Sequence, residues 1–253
     1  MTSPQDLSAS IVVITGAGSG IGRATALRLA EDGAATVVVA DINEDAALET
    51  AKLIVEAGQC ARAAVVDIAD PESVEAFHRS VIDTEGRCDV LVNNAGWEDI
   101  RPFLDTDRDF WERIFSINLL GPITVSRAFL TEMVERKSGT IVNVGSDAGR
   151  VGSTGEAVYS GAKGGVIAFT KSLAREMARY GLSVNCVCPG PTDTPAFDRV
   201  PERLQQALIR AIPLRRLAAP SDIANAISFF ASPRSSYLTG QVLSVSGGLT
   251  MVD

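Results

Sequence analysis

Tyr159 and Lys163 stand four residues apart in the string YSGAK, a spacing that puts both on one face of a predicted helix. A phenol is a poor base at its ordinary pKa of about 10, and a nearby ammonium would lower it towards neutral pH. Ser146 follows the β-branched run that precedes this helix, so a hydroxyl stands at a strand end. A Tyr/Lys pair is common and usually structural. Beside a serine and a nucleotide site, it becomes a device for moving a proton.

A nucleotide site is signalled by Thr15-Gly16-Ala17-Gly18-Ser19-Gly20-Ile21-Gly22, which follows the first predicted strand and opens the first predicted helix. Glycines there permit a tight turn and let backbone N–H groups approach a pyrophosphate at the positive end of the helix. Asp41 ends the second β-branched run, ~20 residues beyond, where a carboxylate accepts hydrogen bonds from a ribose 2′-hydroxyl. Its other reading is a helix cap ahead of Glu44 and Asp45. A carboxylate repels a 2′-phosphate, and no Arg or Lys stands within the Gly-rich string. The expected cofactor is therefore NAD and not NADP.

Composition removes other chemistries. The single histidine, His78, excludes histidine-rich metal sites and Ser-His-Asp hydrolysis, so no metal is expected. Cys60, Cys88, Cys186 and Cys188 form no CxxC pair and read as core thiols of a reducing compartment. Cys186 and Cys188 are expected to point to opposite faces of a strand. The formal charge of −8 disfavours nucleic acid and anionic membranes. No run of ~18 apolar residues appears, and the start MTSPQDLSAS lacks a signal-peptide pattern, so the expectation is a cytoplasmic protein that spans no membrane.

These residues need a frame. Short apolar runs at 10–15, 35–40, 62–67, 89–93, 140–144, 183–188 and 241–245 alternate with helical patterns at 21–32, 44–57, 71–84, 111–136, 157–180 and 221–231. Continuous apolar strands and strict alternation predict an α/β fold. It is a Rossmann-type, doubly wound parallel sheet of about seven strands between two helical layers. With 253 residues and no linker, one domain over 1–253 is expected. One segment, about 190–219, leaves the rhythm. Its PERLQQALIRAIP helix carries Leu204, Leu208 and Ala211 on one face, and the segment reads as an active-site lid or as a surface helix that only packs.

TGAGSGIG at 15–22, NNAG at 93–96, Asn118 in SINLLG, Ser146 in VNVGS, YSGAK at 159–163, PGPTDT at 189–194 and the closing SVSGG together resemble the short-chain dehydrogenase/reductase family. The match covers essentially the whole chain. The resemblance implies a catalytic tetrad of Asn118, Ser146, Tyr159 and Lys163. Tyrosine shuttles the proton, and serine holds the carbonyl or alcohol oxygen. Lysine binds the nicotinamide ribose and depresses the tyrosine pKa, while asparagine supports a water relay. It further implies cofactor contacts from Gly16, Ser19, Gly20, Ile21, Gly22, Asp41, Asp67, Ile68, Asn94, Pro189, Gly190, Thr192 and Thr194, as well as a homotetramer. Ser19 stands where NADP-preferring relatives often carry a basic residue.

The implied activity is NAD-dependent interconversion of a secondary alcohol and a ketone. The stretch 146–195, with Trp97 directly after NNAG, is most similar to family members that oxidise alicyclic β-hydroxyacyl-CoA thioesters. The expected substrate is thus a cyclic 2-hydroxyacyl-CoA of the 2-hydroxycyclohexanecarboxyl-CoA type, touched by Trp97, Ser146 and Tyr159. A lid carrying Arg199, Arg203, Arg210, Arg215 and Arg216 against Asp198 and Glu202 suits an anionic thioester, or is an ordinary solvated face. A 3-oxoacyl thioester, a sugar, a simple cyclic alcohol, or a dinucleotide-sensing protein without turnover are the alternatives. Small residues Gly161, Ala162, Gly164 and Gly165 imply a close backbone approach to the Tyr159 helix by the sheet, the cofactor or a second subunit.

Overall fold

Seven parallel strands form one sheet in the order β3-β2-β1-β4-β5-β6-β7 in a computed structural model that describes residues 7–195, 197–200 and 202–252. The strands are β1 (Ile11–Thr15), β2 (Thr36–Asp41), β3 (Ala61–Val65), β4 (Val90–Asn93), β5 (Gly139–Val144), β6 (Leu182–Pro189) and β7 (Val242–Val245). The first helices are α1 (Gly20–Glu31), α2 (Glu44–Glu56), α3 (Pro71–Glu85), α4 (Arg108–Phe115) and α5 (Gly121–Arg136). They are followed by α6 (Ala148–Val151), α7 (Ala157–Met177), α8 (Glu202–Ala211) and α9 (Pro220–Ala231).

Continuous apolar strands are explained by burial on both faces. Val12 and Ile14 of β1 join Leu29 of α1 and Ile223 and Ile227 of α9 in one core, while Val13 joins Phe77, Phe129 and Met133 of α3 and α5 in the other. Alternate residues of one strand therefore feed two helical layers. Strand β1 pairs with β2 on one side and with β4 on the other, and the chain crosses from β3 back over to β4, which opens a crevice at the carboxyl ends of the strands. A buried amide chain crosses this middle: Asn93 Nδ2 donates to Ser126 Oγ at 2.9 Å and to Asn143 Oδ1 at 2.8 Å, and Asn143 Nδ2 donates to Thr170 at 2.9 Å.

The helix expected over 111–136 is not one regular helix. It begins at Arg108, and residues Ser116–Leu120 form a π-helical turn between α4 and α5. The wider turn carries Asn118, and π-bulges of this kind interrupt helices at functional positions. The run Arg108–Arg136 is long and apolar enough by length and composition to cross a membrane, which the absence of an unbroken apolar run had not suggested; 44% of its most apolar window is buried.

Gly33, Gly58 and Gly181 adopt left-handed φ values of 90°, 86° and 78° just past helix ends, as helix-terminating glycines should. Cys186 and Cys188 correct the expectation of opposite faces. Their sulfurs lie 3.8 Å apart because residues i and i+2 of a strand share a face. His78 is structural: its Nε2 pairs with Glu132 at 3.0 Å and its ring lies on Phe129, bracing α3 against α5.

Candidate active site

The Gly-rich turn is held from three sides. Gly16 has φ +64°, and a Cβ there would stand 2.7 Å from the Ala95 Cα; a Cβ on Gly22 would stand 2.0 Å from the Gly16 carbonyl oxygen. Only glycine fits at either point. Asn94 Nδ2 donates to the carbonyls of Thr15 and Gly16, each at 3.0 Å, so its side chain braces the turn. Ser19 is the exposed N-cap of α1 in extended conformation with no side-chain cap, which leaves the first helix amides to a ligand. Ile21 packs half-buried on the core beneath. This uncapped helix end, with glycines where a side chain would block approach, fits a dinucleotide pyrophosphate.

Asp41 stands at the end of β2 and is not the cap of α2; Asn43 is, accepting from the Ala46 amide at 3.1 Å. The Asp41 carboxylate instead accepts from Gly18 N at 2.9 Å and Asn43 N at 3.0 Å. A cation does reach the turn from just outside the Gly-rich string. Arg23 donates to the Gly18 carbonyl at 2.7 Å and pairs with Glu49 at 2.5 Å, so its charge is already matched.

Asp67 and the buried Ile68 lie beyond β3, where the Asp67 carboxylate accepts from Ala69 N at 2.9 Å. Past β6, the Gly190 amide bonds Val245, and Thr192 Oγ1 donates to the Gly190 carbonyl at 2.9 Å. Thr194 comes so near that a Cβ on Gly20 would stand 3.3 Å from its methyl. The root of the expected lid thus lies against the nucleotide turn, with Pro189 closing β6 behind it. Further out, α8 buries no residue, and Leu204 is 39% exposed. Its predicted apolar face is open. Pro201 of the lid string and the side chain of Arg199 lie outside the described residues. Arg216 is less available than the local charge count suggested, because Asp222 from α9 pairs with it at 2.5 Å.

Ser146, Tyr159 and Lys163 converge at the end of β5. The Ser146 Oγ accepts from Ala148 N at 3.1 Å, and this hydroxyl favours ionisation of the Tyr159 phenol. Lys163 is buried, its Nζ donating to the Val144 carbonyl at 2.9 Å and lying 5.7 Å from the Tyr159 ring centroid. Asn118 faces the same point across Gly96, where a Cβ would meet Asn118 Oδ1 at 3.0 Å and Lys163 Nζ at 3.5 Å. The Asn118 amide clamps the backbone of Trp97, accepting from its N–H at 3.1 Å and donating to its carbonyl at 2.7 Å. Trp97 therefore has a fixed backbone, and its indole lies under the Arg113 guanidinium at 4.0 Å and edge-on to Phe110.

The Tyr159 phenol is pushed well above its ordinary pKa by burial and by the charges of Glu98 and Glu156, against a smaller lowering from Ser146. Burial also lowers the Lys163 ammonium. Both shifts have burial as their largest cause, because desolvation disfavours the charged form of either group. Sequence reasoning missed Glu98 and Glu156 altogether. Glu98 directly follows Trp97, and Glu156 is the N-cap of α7 three residues before Tyr159. Glu156 is a neighbour of Tyr159 in the chain, whereas Glu98 acts on the phenol only through the fold.

The small residues of α7 also find their partners. A Cβ on Gly165 would stand 3.0 Å from Leu119 of the π-turn, and one on Gly164 would stand 3.3 Å from the Gly149 carbonyl of α6. The close approach is made within this chain, by the segments that carry Asn118 and follow Ser146.

A parallel α/β sheet with a Gly-rich turn at its switch point and a Ser-Tyr-Lys cluster nearby defines a dinucleotide-dependent oxidoreductase of alcohol and ketone groups. Residues 16–250 match the family model described as enoyl-(acyl carrier protein) reductase. The chain belongs to the short-chain dehydrogenase/reductase family, whose members bind a nicotinamide dinucleotide.

Among its relatives is the (2S)-[(R)-hydroxy(phenyl)methyl]succinyl-CoA dehydrogenase subunit BbsD of Thauera aromatica, 41% identical over 95% of this chain and 96% of that one. The 3-oxoacyl-[acyl-carrier-protein] reductase FabG of Vibrio cholerae is 37% identical over 98% and 100%. The (3R)-3-hydroxyacyl-CoA dehydrogenase of Canis lupus familiaris is 36% identical over 99% and 100%. The crystal structure of gox2181 superimposes with a TM-score of 0.93 over 97% of both chains at 32% identity.

Proposed function

We propose that the chain is an NAD-dependent dehydrogenase of a hydroxyacyl thioester, with a cyclic 2-hydroxyacyl-CoA of the 2-hydroxycyclohexanecarboxyl-CoA type as its substrate. The observation that carries the chemistry is the convergence of Ser146, Tyr159 and Lys163 at the end of β5, beside the turn that Asp41 holds. The thioester reading draws on relatives named for CoA and acyl-carrier thioesters. A 3-oxoacyl thioester reductase is the second reading, favoured by the relatives named for that activity.

In this reading the Gly16–Gly22 turn and the α1 amides hold the pyrophosphate, and Asp41 accepts from the adenosine ribose. Asp67 and Ile68 border the adenine, Lys163 reaches the nicotinamide ribose, and Pro189, Gly190, Thr192 and Thr194 hold the nicotinamide amide. Bound NAD supplies the hydride acceptor and a positively charged ring. Ser146 donates to the substrate oxygen and fixes it beside the Tyr159 hydroxyl. Tyr159 takes the alcohol proton on oxidation or returns it on reduction. Asn118 holds Trp97 at the substrate side and, with Lys163, leads the proton to water.

Arg101, Phe103, Thr106, Phe110, Gly155 and Glu156 line a small recess beside Tyr159, so aromatic and polar groups both border the phenol. The same reading takes 1–253 as one catalytic domain with a lid at about 190–219 and the protein as a cytoplasmic homotetramer. Steady-state assays with the cyclic hydroxyacyl-CoA, its free acid, a 3-oxoacyl thioester and simple cyclic alcohols, each with both cofactors, test it. Preference for the cyclic thioester with NAD supports the proposal; equal turnover of simple alcohols overturns the substrate.

A further inference from the structure

Asp147 directly follows Ser146 and stands at the N-cap of α6, where a carboxylate ordinarily accepts the first helix amides. Its side chain makes no such cap bond. Only 5% exposed, it reaches instead across the end of β6 to β7, where Ser244 Oγ donates to it, 2.6 Å from Oδ1 and 2.8 Å from Oδ2. Ser244 pairs in register with Cys188, so strand β6 lies between the two partners. Among the described residues no Arg or Lys pairs with this carboxylate. A buried carboxylate answered by a hydroxyl and no cation costs stability, so packing alone does not account for it.

The contact encloses the corner that leaves β6. Asp147 N donates to the Pro189 carbonyl at 3.0 Å, and Gly190 N donates to the Val245 carbonyl at 3.0 Å. On the β7 side, Ser244 Oγ lies 3.2 Å from Ser246 Oγ, which accepts from Thr250 N at 3.2 Å. A Cβ on Gly190 would stand 2.7 Å from the Ser246 Cβ and 3.8 Å from Asp147 Oδ2. Pro189 and Gly190 are thus held between the residue next to Ser146 and the residues that close the sheet. We propose that Asp147, through Ser244, is a positioning residue that fixes the Pro189–Gly190 corner relative to Ser146 and so seats the nicotinamide end of the dinucleotide.

This rests on the proposed function, in which the corner holds the nicotinamide amide and Ser146 the substrate oxygen. Hydride transfer needs both in register, and a misplacement of about 1 Å costs about 100-fold in rate. The bond from Asp147 N to Pro189 anchors the corner to β5 alone, whereas the side chain anchors it to β7 as well. The adenosine end belongs to the Gly16–Gly22 turn and Asp41, which the Asp147 contact does not touch. The two ends of the cofactor therefore respond separately.

The test compares NADH with ADP-ribose, which lacks the nicotinamide, by titration calorimetry. Asp147→Ala and Ser244→Ala break the contact from either side, and Asp147→Asn keeps an acceptor for Ser244. Both alanine variants are expected to weaken NADH by about 10-fold, with ADP-ribose within about 2-fold of wild type. The double alanine variant loses little more than either single one, as partners in one contact should. Asp147→Asn recovers most of the NADH affinity. With an alcohol that the wild type turns over, kcat falls by about 10-fold or more in the alanine variants and recovers in Asp147→Asn.

Equal weakening of NADH and ADP-ribose, which a general loss of packing gives, overturns the inference. So does unchanged NADH binding in a folded alanine variant, or an Asp147→Asn that recovers nothing. Should Asp147→Ala fail to fold, Ser244→Ala reads the same contact. The binding arm needs no substrate, so a wild type that turns over no alcohol or ketone defeats the proposed function and leaves this comparison standing. If the wild type prefers NADPH, then NADPH and 2′-phospho-ADP-ribose serve as the pair.

Discussion

The Asp41 carboxylate accepts the Gly18 amide at 2.9 Å, so the residue proposed to read the ribose also fastens the Gly-rich turn to the end of β2. Its two duties are separable. Asp41→Asn keeps an acceptor for Gly18 and removes the charge that repels a 2′-phosphate. The wild type is expected to prefer NAD, and Asp41→Asn to narrow the NAD-to-NADP ratio of kcat/KM by about 10-fold, or ~1.4 kcal/mol. Comparable kcat/KM with both cofactors in the wild type would refute this role.

Gly22 bears the tightest approach in the turn. Alanine there drives a Cβ to 2.0 Å from a backbone oxygen that Asn94 also holds. We expect Gly22→Ala to cost about 2–4 kcal/mol in urea unfolding and to abolish dinucleotide binding by fluorescence. Normal binding in a fully stable variant contradicts the cradle.

Tyr159→Phe removes the phenol hydroxyl of the cluster at the end of β5, while the Lys163 ammonium 5.7 Å from the ring stays. Turnover should fall by about 100-fold or more while NADH still binds. An active variant moves the proton transfer elsewhere, and a wild type that binds NADH yet turns over no alcohol or ketone would favour a sensor.

Glu98 also leaves a mark on stability. Its folded carboxyl sits at about 7 against an ordinary 4.5, so below the lower value both states are protonated and no penalty exists. As pH rises towards 7 the unfolded chain releases a proton that the folded chain keeps, and stability falls. Glu98→Gln should therefore be more stable than wild type at pH 8 by roughly 1–3 kcal/mol, with the gain shrinking towards pH 4.5. A pH-independent difference between their urea midpoints rules this out.

The strands were legible because burial on both faces demands unbroken apolar runs. Strand β1, with Val12 and Ile14 in one core and Val13 in the other, shows the rule at work. The turn was legible because Gly16 and Gly22 stand where any Cβ collides with backbone. Less legible was the π-turn at Ser116–Leu120, since an extra residue per turn leaves no mark in a helical hydrophobic pattern. The pairing of Cys186 with Cys188 follows from strand periodicity alone, and applying that period correctly would have found it.

Sequence by itself determined the sheet, the nucleotide turn and the identities of Ser146, Tyr159 and Lys163, because each depends on residue type and short-range spacing. Tertiary structure decided the electrical state of the site. Glu98 and Tyr159 are 61 positions apart in the chain, and the charge of one raises the phenol of the other only because the fold brings together α7 and the loop after β4, which Asn118 clamps at Trp97. Pairwise electrostatics fall with distance in space and rise with burial. Neither quantity is written in sequence order. A lysine four residues from a tyrosine suggested a lowered phenol pKa; the folded chain adds burial and the charges of two acids, both of which push it up.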